Sequence, residues 1–229
     1  MEHDDHGHSD GHDHDHSHGH GHEHDRGARA MLRYLRYAPR MWSSDINDAV
    51  VDLVAPAPGE RVVDIGAGMG PGTVRAAKAG ASVVAVEPTP YMRGILTARR
   101  LAQRARGLIT VVDAAAEDLP VADDSIDAVW AVNTMHHWVD LERGITEIAR
   151  VLRPGGRMVL VDESFDDPSH PDYERFGSVR GDDHDHQFEM VDTERIGSLL
   201  GEAGLVDVDA GPRRLADRPI LAVTARAPG

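Results

Sequence analysis

The chain has 229 residues, 41% of them apolar, a formal net charge of −15 and no cysteine. That length suits one sizeable domain or two small ones. The charge argues against a general affinity for nucleic-acid backbones, and the missing thiols exclude disulfides, thiolate metal sites and cysteine nucleophiles.

Residues 1–25 hold ten histidines, at 3, 6, 8, 12, 14, 16, 18, 20, 22 and 24, among eight acids and no Lys or Arg. The remaining chain therefore stands near −7, an ordinary value. No residue of this segment seeds a core, so a disordered tail is expected there, with ordinary folding signals beginning near Ala28. Neutral imidazole is a common ligand of Zn, Ni and Cu. His12, His14, His16, His18, His20 and His22 are accordingly candidate ligands for divalent transition ions, Zn or Ni in particular.

Residues 28–38 read as a short helix ended by Pro39. A second helix is opened by Ser43 or Ser44 as N-cap and buries Ile46, Ala49, Val50, Leu53 and Val54 at i, i+3, i+4, i+7, i+8. Strands then alternate with helices. Arg61–Ile65 is a strand, followed by a glycine loop and a helix to about Gly80. Ser82–Val86 is a strand, and Thr89 with Pro90 opens a helix to about Arg106. Leu108–Val112 and Ser125–Val132 are strands, a helix covers Asp140–Leu152, and Arg157–Asp162 is a strand. Thr193–Ala203 is a helix stopped by Gly204, and the last strands lie near Leu205–Asp209 and Ile220–Ala225. The alternation predicts a mostly parallel sheet covered by helices on both faces. No apolar run approaches the roughly 20 residues of a membrane span, and the N-terminus lacks the apolar core of a secretory signal. A cytoplasmic protein with no membrane or nucleic-acid partner is the expectation.

The most informative stretch runs from Val62 to Thr73 and reads VVDIGAGMGPGT. A buried strand ends in glycines that open a helix, as in a loop that lets a ligand approach the backbone. Its glycines at 66, 68 and 70 give G-x-G-x-G, whereas a dinucleotide fingerprint wants its third glycine where Pro71 stands. Glu87 ends the next strand, 21 residues beyond Gly66, where an acid accepts hydrogen bonds from ribose hydroxyls. The pattern suits a nucleoside ligand with no evident pyrophosphate cradle.

Further along, Ala116-Glu117-Asp118-Leu119-Pro120 and Arg150-Val151-Leu152-Arg153-Pro154-Gly155-Gly156 flank the strand segment Asp124–Val129. With the glycine loop, these motifs resemble the small-molecule branch of the class I S-adenosylmethionine-dependent methyltransferases, over residues 40–165. The resemblance implies a Rossmann-like fold with seven strands, the last antiparallel. It implies a tail (1–25) and a methyltransferase domain (26–229) whose residues 26–58 form cap helices, with Tyr34, Tyr37, Arg40 and Trp42 near the pocket. S-adenosyl-L-methionine is the implied cofactor. Asp64, Gly66, Gly68 and Gly70 would hold its methionine end and Glu87 its ribose; Ala116 and Glu117 would edge the adenine, and Asn133 would also bind the cofactor. Relatives often carry an aspartate where Ala115 stands, so that adenine contact is missing, with Asp113 near.

The implied acceptor is a small molecule. Asn133-Thr134-Met135-His136-His137-Trp138 follows the fourth strand, at the place where such enzymes often carry a His-Trp pair beside the sulfonium. One of His136 and His137 is a candidate general base; the alternative is that one caps the next helix while Trp138 fills core. Glu163 is a weaker candidate, since strand-end acids are usually solvated. No Asn-Pro-Pro-Tyr-like segment follows the fourth strand, which argues against exocyclic amines of nucleobases. A second cluster, Asp182-Asp183-His184-Asp185-His186, and His170 lie on the connection after the fifth strand. Together with the tail they keep open a metal-handling protein on a methyltransferase-like scaffold, while the complete glycine loop and Glu87 favour the enzyme.

Overall fold

The computed structural model describes residues 42–176 and 192–229. The tail, the helix at 28–38 and the cluster at 182–186 lie outside the described residues. The elements, in chain order, are α1 (Asp45–Val54), β1 (Arg61–Ile65), α2 (Pro71–Lys78), β2 (Ser82–Val86), α3 (Pro90–Leu101), β3 (Ile109–Val112), β4 (Ile126–Val132), α4 (Leu141–Val151), β5 (Leu152–Glu163), α5 (Tyr173–Phe176), α6 (Thr193–Glu202), β6 (Val206–Leu215) and β7 (Arg218–Arg226). The seven strands form one sheet in the order β3-β2-β1-β4-β5-β7-β6. Strands β1 to β5 pair in parallel, and β7 runs antiparallel to both β5 and β6. This is the Rossmann-like methyltransferase fold expected from the motifs, with its topological switch between β1 and β4.

Alternation along the strands divides the interior into two cores. Val63, Ile65, Val129, Ala131, Met158 and Leu160 face one side with Ile145 and Ile148 of α4 and Ile196 and Leu200 of α6. Val62, Ala128, Trp130, Val159 and Val161 face the other, with Ile46, Val50, Val51 and Val54 of α1 and Val74 of α2. The central strands β1, β2 and β4 are thus buried on both sides, which is why their sequences read as apolar runs, while the edge strand β6 has no buried residue.

The structure corrects several boundaries. Ser44 caps α1, its side chain accepting from the Asn47 N–H. The buried stripe of that helix takes Val51 and leaves Leu53 about half exposed. α3 stops at Leu101, and a 3-10 turn at Arg106–Leu108 leads into β3. β5 begins at Leu152, earlier than the Pro-Gly-Gly turn implies, with a register shift opposite Ile126–Ala128. β6 and β7 are longer than expected and form a hairpin joined by Ala216 and Asp217, both at positive φ. No helix among the described residues is long and apolar enough to cross a membrane.

Candidate active site

The carboxyl ends of β1, β2, β4 and β5 meet at the switch point, and Asp64, the three glycines, Glu87, Asn133 and His136 gather there. Gly66, Gly68 and Gly70 all have left-handed φ, of 65°, 55° and 77°. A Cβ on Gly66 would run into the Thr134 side chain and one on Gly70 into the end of the Leu96 side chain, at backbone angles that already favour glycine. At Gly68 the nearest atom would be 3.9 Å away. That glycine is the least crowded of the three, whereas the outer two lie close against the fold.

Glu87 is 4% exposed. One carboxylate oxygen accepts from the Gly68 N–H at 2.7 Å and the other from the Thr89 N–H at 2.8 Å. The acid at the end of β2 therefore fixes the middle of the glycine loop. Arg93 braces the same corner: it donates to the Glu87 and Pro88 carbonyls and pairs with Asp113 at the end of β3.

Asp64 is buried in β1 and accepts a 2.5 Å bond from the Thr73 hydroxyl in the first turn of α2. Burial, the largest influence, pushes its carboxyl up to about 7 and the charge of Glu87 adds to this, while the Thr73 bond opposes it. The Trp130 indole N–H, buried and short of hydrogen-bonding geometry, adds a weaker opposing pull. Gly72 lets α2 pass this corner, because a Cβ there would come within 3.2 to 3.5 Å of Trp130 Nε1, Asn47 Oδ1 and Asp64 Oδ2.

The turn after β4 lies against the glycine loop through Thr134. Asn133, at φ 55°, is clasped to Glu163 at the end of β5: its amide donates to Oε1 and its carbonyl oxygen accepts the Glu163 N–H, both at 2.7 Å. His136 Nδ1 lies 3.2 Å from Asp162 Oδ2, with both side chains 11% exposed. His137 is exposed, its ring centroid 4.0 Å from that of His136. Trp138 packs on Gly144 of α4, where a Cβ would approach the ring to 2.7 Å, so this tryptophan joins the core.

Other predicted residues have structural partners. Ala116 is buried in the core, and Glu117 accepts from the Val139 and Asp140 N–H groups ahead of α4. The Glu163 side chain is 4% exposed, not solvated: besides Asn133 it meets His170 Nε2 at 3.0 Å and Arg218 at 2.7 Å, and Arg218 reaches on to Asp45 of α1. The Asp172 N–H donates to His170 Nδ1, which places the His170 proton on Nε2, toward Glu163. With both ring nitrogens committed, His170 leaves the metal cluster proposed from sequence. Among the described residues no group of three or more His, Asp or Glu is arranged to hold a metal ion. A cleft of about 610 Å³ lies apart from these residues, between α1 and α2, and includes Trp42 beside Arg99.

Asp162, Thr73, Arg218 and Asp45 are the residues that sequence reasoning left without a role. Asp162 stands next to Glu163 at the end of β5, and strand alternation turns the two acids to opposite faces.

Residues 63–160 match the model described as a methyltransferase domain. The chain is 45% identical over 130 residues to an uncharacterised methyltransferase of Mycobacterium tuberculosis, covering 57% of this chain and 48% of the relative. It is 38% identical over 116 residues to the demethylmenaquinone methyltransferase of Clavibacter sepedonicus, covering 51% and 46%. The chain thus spans about half the length of the curated relatives it matches. Among solved structures, the phosphoethanolamine N-methyltransferase 2 of Haemonchus contortus, in complex with S-adenosyl-L-methionine, superposes with a TM-score of 0.69 at 17% identity, over 90% of this chain and 59% of that one. At that identity the likeness is one of fold.

Proposed function

We propose that this methyltransferase domain moves the methyl group of S-adenosyl-L-methionine to a small-molecule acceptor. The observation that carries the reading is the Glu87 carboxylate held against Gly68, the one glycine of the 66/68/70 set where a side chain would meet only ordinary van der Waals contacts. That corner fits a nucleoside: an acid for the ribose hydroxyls next to a backbone cradle. Asp64 and Gly66, Gly68 and Gly70 would hold the methionine end, Glu87 the ribose, Ala116 and Glu117 the adenine edge, and Asn133 the side toward the acceptor. When bound, the cofactor supplies an electrophilic methyl carbon on a sulfonium. What the protein adds is alignment of the acceptor and, where the acceptor must lose a proton, a base on His136 or His137.

The binding prediction is concrete. Calorimetry should show uptake of S-adenosyl-L-methionine or its demethylated product and none of NAD. Glu87→Ala should weaken that binding by about 1.5–3 kcal/mol, as for lost hydrogen bonds to a charged group. A melting curve of the variant separates this loss from loosening of the loop. Unchanged affinity, or binding of NAD instead, would overturn the reading.

The tail supports a second, additional reading. Ten histidines in 25 residues favour binding of transition ions such as Zn or Ni. On this proposal the tail is an accessory to the domain and lies outside the chemistry.

A further inference from the structure

Resting on the methyl-transfer reading, we propose that the acceptor atom is a hydroxyl oxygen, phenolic or alcoholic, and that His136 takes its proton while Asp162 positions the imidazole. β4 and β5 are neighbouring parallel strands, and their ends bring together residues 26 apart in sequence. An ionised carboxylate only accepts hydrogen bonds, so Asp162 Oδ2 at 3.2 Å puts the His136 proton on Nδ1 and makes Nε2 the basic nitrogen. His137, the other candidate, stands on the exposed side of the same turn. Among the described residues, Asp162 from β5 and His137 from the turn itself are titratable groups that face His136.

Two buried polar atoms beside this pair have no hydrogen-bond partner among the described residues: Asp162 Oδ1 and Thr134 Oγ1. Buried polar groups are costly unless bonded. A hydroxyl ligand both donates and accepts, which matches an orphaned carboxylate oxygen together with an orphaned hydroxyl. The Thr134 side chain lies against Gly66, on the glycine-loop side of the turn.

The chemistry points the same way. A thiol ionises near neutral pH, and a neutral amine attacks through its lone pair, losing its proton afterwards. A hydroxyl becomes a good nucleophile only as its proton leaves, which is the task of a fixed imidazole. In the step, the acceptor O–H bond breaks and its proton goes to His136 Nε2. The oxygen forms the new O–C bond as the C–S bond breaks, and that electron pair stays on sulfur, giving a neutral thioether. The imidazolium is left beside the Asp162 carboxylate, and its proton returns to solvent.

The test uses the full chain, S-adenosyl-L-methionine carrying an isotopic label in its methyl group, and a small-molecule extract of cells that make the protein. NMR of the labelled product assigns the atom that carries the methyl group. The label is expected on oxygen. His136→Gln should lower its formation on the order of 100-fold or more with cofactor affinity unchanged. Asp162→Asn should present an amide N–H to Nδ1 and drive the proton onto Nε2. It should lower kcat and move the acid limb of the kcat profile to lower pH, which a merely structural aspartate would not do. Label on nitrogen, sulfur or carbon overturns the hydroxyl while leaving methyl transfer standing. Label on oxygen with His136→Gln folded and fully active overturns the base. If S-adenosyl-L-methionine binds yet no product is labelled, the methyl-transfer reading itself falls, and this inference with it.

Discussion

Asp64 is a carboxyl whose neutral form the fold prefers, held up to about 7 mainly by burial. Because its folded value lies above its unfolded one, the folded chain keeps a proton that the unfolded chain has already released between about pH 4 and pH 7. Its contribution to stability therefore falls as pH rises through that window. The Asp64→Asn variant should melt with less loss between about pH 5 and pH 7 than the native chain. A cationic methionine end lying beside Asp64 would favour the carboxylate and expel that proton. Titrations near pH 6 in two buffers of different ionisation enthalpy should then give different heats for the native chain and equal heats for Asp64→Asn. Equal heats for the native chain would remove Asp64 from that end of the cofactor. Asp64, the three glycines and Glu87 were legible in sequence because strand, loop and helix set their spacing locally. Glu163 and His170 were misjudged because their burial depends on tertiary partners: Glu163 pairs with Arg218 across 55 residues, and Arg218 with Asp45 across 173.

Among the elements, the recurring segments earn a physical account beyond their family likeness. Arg150 of α4 donates to the Leu119 and Val121 carbonyls and pairs with Asp123 and Glu147, while Glu147 accepts the Leu119 N–H. The AE-x-LP and RVLRPGG segments are thus two halves of one clamp, holding the loop after β3 to α4. Gly156 is needed because a Cβ there would lie 2.8 Å from the Arg153 carbonyl. The β6–β7 hairpin was not legible because its two-residue turn lacks the usual signal. Ala216 and Asp217 take φ of 49° and 59°, where Asn-Gly is the ordinary choice. Replacing them together, Ala216→Asn with Asp217→Gly, should stabilise the domain by about 1 kcal/mol, since a left-handed alanine is strained and glycine is not. The Arg214 bond to the Asp217 carbonyl oxygen uses the backbone and survives the change. Urea unfolding measures the gain, and an unchanged midpoint would mean that the turn carries no strain.

At the scale of the whole molecule, the alternating apolar strands announced the parallel sheet, and its antiparallel last strand came from the family likeness. Neither source bears on residues 1–25, which lie outside the described residues and whose role is argued from composition alone. Those residues put ten imidazoles and eight acids on a stretch without Lys or Arg, and acids between the ligands reduce repulsion among bound cations. Imidazole binds metal when neutral, so the capacity for Zn or Ni should fall as pH drops through about 6.5, the ordinary histidine value. The glycine loop, Glu87 and the His136–Asp162 pair all lie beyond residue 60. No multi-ligand metal group lies among the described residues, so deleting 1–25 should remove bound metal and leave methyl transfer unchanged. Equilibrium dialysis against Zn or Ni compares the full and shortened chains, and the transfer rate of each is measured with and without chelator. Should shortening abolish transfer, or chelator stop it in the shortened chain, the metal would belong to the reaction, and the tail could no longer be an accessory.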